Sequence, residues 1–343
     1  MSMKIKRDNH FVPRMYLKSW STDGQVEVYR TLVQHENVPL WKSFYLNGIG
    51  YLKNLYVNTK DGIECDILEV WFDQEYEAPA EKSIAKVIAN EKLNPTDYKN
   101  LINFFALQDL RTPKKFIENI NKDNSEEFET SLRKVVDKVM EKGVPKDFEP
   151  SNEYKFHDEL PLKINISKKE NGLMVNVEKL VGRASWLWSI KHLLSNVSNH
   201  LHKHKWTILH PAKGKSWLTS DNPALKLNHY GPDGYDFKGS WANKGTELIL
   251  PLGPQHLLYT CIGNTPPLAR GTRVSPEKTD ELNRLMAENS HRYIIADKKF
   301  PTIDKLHNRV VSPEDVRNEL TQWKMLHEHH AESERQFYSE RHA

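Results

Sequence analysis

Asn94-Pro-Thr-Asp-Tyr-Lys-Asn-Leu-Ile-Asn-Phe-Phe-Ala-Leu-Gln-Asp-Leu-Arg-Thr-Pro113 is the stretch on which the fold turns. Its first four residues read as a helix start, with Pro95 or Thr96 near the cap. Leu101, Phe104, Phe105, Leu107 and Leu110 then set apolar side chains nearly all round the helix. A helix that is apolar all round is a buried one.

Toward the amino terminus the chain stays helical back to about Glu64. Ile67, Leu68, Trp71 and Phe72 form an apolar stripe that Ile84, Val87 and Ile88 continue after Pro79. Before that, residues 1–60 read as irregular and β. Gln25 to Tyr29 alternates as a strand after the turn Thr22-Asp23-Gly24, and Phe44 to Val57 is an aromatic bent strand or covering loop. Toward the carboxyl terminus, Phe128 to Met140 reads as a polar surface helix. Residues 143–172 read as a connection holding one strand, Leu162 to Ile166, and 176–203 as a helix carrying Trp186, Ile190 and Leu194. Strand signals then dominate. Lys205–Leu209 and Ser216–Thr219 flank Pro211 to Lys215 as a hairpin, and Glu247–Leu252 faces His256–Ile262. Pro276–Asn289 is a helix, Arg292–Ala296 a strand, and a terminal helix starts at Pro313 behind the cap Ser312. The fold class is α+β: a helical first half packed on a mainly antiparallel sheet formed largely by the second half.

Composition narrows the partners little. The 343 residues carry 38% hydrophobic and 28% charged side chains, enough apolar mass for a core and against wholesale disorder. With 49 basic and 46 acidic residues the net charge is +3, so a phosphate-bearing partner would need a locally basic surface. Two cysteines, Cys65 and Cys261, make no disulfide framework, and a reducing compartment is expected. The opening residues lack a signal-peptide core, and no segment reaches the roughly 20 apolar residues that span a bilayer. A cytoplasmic protein without membrane contact is therefore expected.

High-specificity catalytic signatures are absent from the sequence, so the candidates are polar residues in constrained places. His10 stands before the stiff Phe-Val-Pro13 and could serve as metal ligand or general base, or could simply bond backbone and anchor the terminus. Gln108 and Arg111 share a helical face where the buried helix ends. Arg111 needs an acidic or phosphate partner, so anion binding and a buried ion pair both stand open. Ser220-Asp221-Asn222-Pro223 ends a strand and holds Asp221 either as an exposed carboxylate or in Asx-turn chemistry. His200, His202, His204 and His210 lack a completing ligand and read as a surface strand or helix end. His327 and His330 fall on an exposed helix, and Glu69, Glu75, Glu77 and Glu81 on a helix facing water.

Asn9-His10-Phe11-Val12-Pro13-Arg14-Met15-Tyr16-Leu17-Lys18-Ser19-Trp20 resembles the opening of a bacterial family known as domain of unknown function 4238. Gln108 to Pro113 resembles its Gln-x-x-Arg-Thr-Pro stretch, Ser220 to Pro223 its Ser-Asp-Asn-Pro stretch, Glu77 its acidic helix position, and Asn283 to Tyr293 a late segment. The resemblance implies one domain over residues 1–300, with 301–343 a helical extension, and one shared site. In that site His10, Glu77, Arg111 and Asp221 would be catalytic, and Gln108 and Asn222 would bind substrate. The expected chemistry is hydrolysis or transfer at a phosphate-containing substrate, a nucleotide or nucleic acid. In it His10, Glu77 and Asp221 would supply either a divalent metal, with His10 and Asp221 as candidate ligands, or the proton transfers. The alternative is a binding protein that presents the basic, aromatic stretch Lys191 to Trp217 to RNA or DNA.

Overall fold

The computed structural model describes residues 5–60, 63–123, 129–130, 133–134, 137–138, 141, 151–156, 161–169, 172–231, 234–264 and 268–339. Of the helix expected over 128–140, only scattered residues fall within this set; those are helical and exposed, and the rest lie outside it. Strand β1 (Asp8–His10) leads into the short helix α1 (Arg14–Leu17). β2 (Gln25–Arg30), β3 (Leu32–Val33), β4 (Trp41–Tyr45), β5 (Tyr51–Lys53), β6 (Asn58–Lys60) and β7 (Ile63–Cys65) follow.

The first long helix runs from α2 (Ile67–Phe72) through a π turn, Asp73–Glu77, into α3 (Ala78–Ile88). Pro79 accounts for the π turn. A proline has no N–H to give the carbonyl four residues back, and its ring collides with that carbonyl, so a turn widened by one residue accommodates it. Helix α4 (Pro95–Leu110) opens with a capping box. The Asn94 side chain accepts from the Asp97 N–H at 2.9 Å, and the Asp97 carboxylate accepts from the Asn94 N–H at 2.9 Å. As its sequence requires, α4 is buried on all sides from Leu101 onward: Leu101, Phe104, Phe105 and Leu107 are fully enclosed. Helix α5 (Pro113–Asp123) leaves it after Thr112.

Two expectations fail next. Residues 151–179 contain three antiparallel strands rather than one, β8 (Ser151–Phe156), β9 (Leu162–Lys169) and β10 (Gly172–Lys179). The helix expected from 176 begins only at Arg183, as α6 (Arg183–His192). Gly182 sits between strand and helix at φ 112° and ψ −140°, a conformation open only to glycine, and this forces the break.

The strands of the second half are β11 (Thr207–Leu209), β12 (Thr219–Ser220), β13 (Leu225–His229), β14 (Tyr235–Asp236), β15 (Glu247–Gly253), β16 (His256–Cys261) and, after helix α7 (Pro276–Asn289), β17 (Tyr293–Ala296). One antiparallel sheet has the order β11-β16-β15-β13-β14. Another, β12-β17-β2-β4, joins the two ends of the chain. The expected pairing of Glu247–Leu252 with the strand after it is present as β15–β16. The expected hairpin across Pro211 to Lys215 is not: β11 pairs with β16, and β12 with β17. Trp217 and Leu218 are drawn into the core under α7, where the Asn283 side chain accepts from the Leu218 N–H at 2.9 Å. The fold is α+β, and its sheets are mainly antiparallel.

Helix α8 (Ile303–Leu306) and strand β18 (Val310–Val311), which runs parallel to β3, precede the terminal helix α9 (Pro313–Ser339). An enclosed ion pair fastens α9: Arg183 donates to Glu334 through Nε at 2.9 Å and Nη2 at 2.7 Å. The Thr59 N–H also donates to Glu334, at 2.7 Å. Arg183 can only donate, so His327 accepts from it on Nδ1 and passes its Nε2 hydrogen to Glu64. His327 and His330, expected on an exposed helix, are half-buried at this seam, with Gly182 packed directly on the His330 ring. Among the described residues no helix is long and apolar enough to cross a membrane.

Candidate functional site

His10 ends β1, and its position is fixed from several sides. Asn9 is buried; its side chain donates to the Lys6 carbonyl and accepts from the Tyr56 N–H. Val12 donates to the Gly50 carbonyl at 3.1 Å, and β1 pairs with β5 so that His10 faces Tyr51. The His10 carbonyl accepts a hydrogen bond from the Arg111 guanidinium. Arg111 is 0% exposed and donates from Nη1 to Glu77 Oε1 at 2.6 Å. Its guanidinium also sits 5.6 Å from the Tyr56 ring centre and 5.4 Å from that of Phe72. Arg111 therefore ties the end of α4 to the π turn and to β1.

Above this anchor lies an open cleft of about 590 Å³. The amino-terminal segment contributes Lys6, His10, Arg14 and Lys18 to it. The long helix contributes Glu69, Asp73, Glu77 and Glu81. A second hollow, of about 800 Å³, adjoins it and shares Lys6, His10 and Arg14. Opposite charges thus line the two sides. Lys6 is committed to Glu69 at 2.8 Å, whereas Arg14 and Lys18 form no ion pair among the described residues.

Two groups in the cleft have displaced proton affinities, in opposite directions. Burial, reinforced by the charges of Arg14, Lys6 and Arg111, lowers the His10 imidazole to about 4, and its Nε2 is buried without a hydrogen-bond partner. Burial raises the Glu69 carboxyl in spite of Arg111 and Lys6; the residue is 3% exposed and its Oε2 has no partner.

The other expected site residues lie elsewhere. Gln108 is enclosed in the core, with neither amide atom partnered. Asp221 accepts three main-chain N–H groups, from His291 at 2.7 Å, Arg292 at 2.6 Å and Tyr293 at 3.1 Å. Asn222 accepts from Thr112 at 2.7 Å and exchanges hydrogen bonds with Asn289. The Arg-Thr-Pro and Ser-Asp-Asn-Pro stretches do meet, but through Thr112 and Asn222, as a staple between α5, α7 and β17. The structure thus brings together His10, Glu77 and Arg111, and it places neither Asp221 nor Asn222 in the cleft.

The divalent ion expected on His10 and Asp221 finds its two ligands in separate assemblies. Among the described residues no group of three or more His, Cys, Asp or Glu side chains is placed to hold a metal. His202 bonds Asn103 and His204 accepts from the Gly263 N–H, so the histidine run shares no face. Trp206 and Trp217 are buried, which leaves the stretch 191–217 without those two rings as a stacking surface. Lys6, Arg14 and Glu69 were not singled out by sequence reasoning for this cleft. The signal that marks the acidic wall is the four-residue spacing of Glu69, Asp73, Glu77 and Glu81 along one helix.

A family model described as Protein of unknown function (DUF4238) matches residues 8–300. The chain belongs to this family. No curated protein and no solved structure matches it. In this DUF4238 member the matched span holds both halves of the cleft, β1 with its following turn and the π-turned helix, together with the Arg111 anchor. Helix α9 lies beyond the span.

Proposed function

We propose that the cleft is an acid–base site for hydrolysis or transfer at a phosphate-bearing substrate, a nucleotide or nucleic acid. The observation that carries this reading is that His10 and Glu69, both displaced from their ordinary proton affinities, line one hollow. Perturbed titratable groups gathered in a cleft mark a candidate acid–base site. Neutral His10 takes the proton of an attacking water as its oxygen bonds phosphorus. The phosphorus–oxygen ester bond breaks, and the departing oxygen takes up the proton that His10 accepted, while Glu69, paired to Lys6, fixes the wall of the cleft. Arg14 and Lys18 meet the phosphate charge. That anion offsets the positive field on His10 and raises its basicity once substrate is bound. Arg111 and Glu77, assigned catalysis on sequence grounds, act as positioning residues, because an enclosed, ion-paired guanidinium reaches no substrate.

The test is a panel of phosphomonoesters, nucleoside triphosphates, dinucleotides and single-stranded RNA, turned over by the wild-type chain and by His10→Gln and Glu69→Gln. His10→Gln is expected to lose roughly 10²–10⁴-fold in rate while keeping the wild-type melting temperature. Phosphate-ligand binding without turnover by the wild type, or an unchanged rate in His10→Gln, overturns the proposal.

A further inference from the structure

At the carboxyl-terminal end of α3, around Val87 to Asn90, the chain builds a second concave surface that the proposed chemistry does not use. It consists of two adjoining hollows of about 370 and 470 Å³ that share Asn90, His210, His256 and Gly271. His210 follows β11 and His256 opens β16; their rings lie edge to face with centres 4.8 Å apart. His210 gives its Nδ1 hydrogen to the Gln255 carbonyl at 2.7 Å, and His256 Nε2 meets Asn90 Oδ1 at 3.1 Å. His256 is 5% exposed. Arg270 and Arg273 complete the surface.

Both arginines are held by main chain. Arg270 donates to the Glu91 carbonyl at 2.6 Å and Arg273 to the Pro211 carbonyl at 3.0 Å; neither has a carboxylate partner among the described residues. The segment that carries them is zipped to the end of β11. Gly271 N–H bonds the Ile208 carbonyl, His210 N–H the Thr272 carbonyl and Val274 N–H the His210 carbonyl. The spacing between the two guanidinium-bearing positions and the two histidines is therefore set by backbone. Gly271 keeps the rim open, with nothing within 4 Å of where a side chain would begin.

The geometry points to an oxyanion site here: Arg270, Arg273, His210 and His256 together bind a phosphate group carried by a small ligand. His210 and His256 line both hollows, Arg270 stands in one and Arg273 in the other, Lys92 adds a further positive charge at the rim, and Glu91 is the one carboxylate among the lining residues. A cation is disfavoured by that balance, whereas a dianion gains two charge-assisted donors and turns an imidazole into a third when it protonates. Ile88, Ile208 and Pro254 add an apolar floor for the carbon part of a phosphate ester. Burial, with His210, Arg270 and Arg273 nearby, holds His256 at about 4.

The experiment is titration of the full chain with inorganic phosphate at constant ionic strength, by calorimetry and by NMR of the histidine rings, with chloride as the control. Three proteins are compared: wild type, R270Q/R273Q, and R14Q/K18Q, which alters only the first cleft. Phosphate is expected to move the His256 ring and raise its titration midpoint. Its affinity should fall at least tenfold in R270Q/R273Q and persist in R14Q/K18Q. Wild-type affinity in R270Q/R273Q, or a shift that chloride reproduces, overturns the assignment. The wild-type ring titration needs no variant, so a His256 signal that phosphate leaves in place overturns it as well, even if R270Q/R273Q fails to fold. Failure of the acid–base reading in the first cleft alters none of these results.

Discussion

Replacing Glu334 with Ala tests how α9 is held. The substitution deletes both acceptors of the Arg183 guanidinium and the acceptor of the Thr59 N–H. Arg183 keeps only neutral partners, His327 Nδ1 at 2.8 Å and the Asn54 carbonyl at 3.4 Å. Taking away one member of an enclosed ion pair costs about 3–5 kcal/mol, because the other charge stays desolvated. That range is a ceiling here, since α9 can lift and let water reach Arg183, and the loss then equals the docking energy of the helix. For a chain of this length each kcal/mol lowers the melting temperature by about 2 °C, so a fall of several degrees, bounded at roughly 6–10 °C, is expected by calorimetry. Hydrogen exchange separates the two routes, because lifting raises exchange across 313–339 before the core opens. The double replacement Arg183→Met with Glu334→Leu should recover much of the loss, as both charges are gone. A single Glu334→Ala variant melting within about 1 °C of wild type, with α9 exchange unchanged, would refute the reasoning.

Other outcomes follow from neighbouring groups. Gly182→Ala puts a methyl carbon 2.4 Å from the His330 ring at a backbone angle that side chains avoid, so limited proteolysis should cut within α9 sooner than in wild type. Glu319 sits at about 2: burial opposes its ionisation, but hydrogen bonds from His291 and Arg292 and the Arg292 charge outweigh it. The stability this carboxylate supplies is present above its ordinary 4.5 and drains away as pH falls toward 2. Glu319→Gln should therefore lower the urea midpoint at pH 6 and flatten its decline between pH 4.5 and 2. Asp221→Asn replaces one carboxylate oxygen by a donor and so leaves one or two of the three main-chain N–H groups unmet, each costing about 1–3 kcal/mol; a lower melting temperature is expected, and unchanged melting would remove Asp221 from the staple.

Where local chemistry decides structure, the sequence is readable. Asn94 to Asp97 announces a capping box, and the apolar circuit of α4 announces a buried helix; both are present. The start of α6 is misread because the helical spacing of Trp186 and Ile190 runs back into Val175 and Val177, whose alternation belongs to β10. Only the backbone angle of Gly182 separates the two periods. The site is legible to the extent that its residues are tied by main chain: His10 before its stiff tripeptide, and Arg111 at the helix end in need of an acid. Asp221 is different. Its partners stand 70 to 72 residues away, so its surroundings obey neither the turn reading nor the shared-site reading. Glu69 reads as facing water, as a carboxylate on a helix normally does, yet it is 3% exposed and paired with Lys6 from the amino-terminal segment.

The sheet that joins β2 to β17 has a cost in time. β2 ends at Arg30, while the strand that flanks it begins only at Tyr293; the Tyr29 hydroxyl bonds a carbonyl 278 residues away. At ribosomal speeds of about 5–20 residues per second, the nascent β2–β4 hairpin waits roughly tens of seconds with an unpaired margin. An unsatisfied strand margin invites other chains, so synthesis rate and chaperone supply, more than final stability, should govern the soluble yield of this protein.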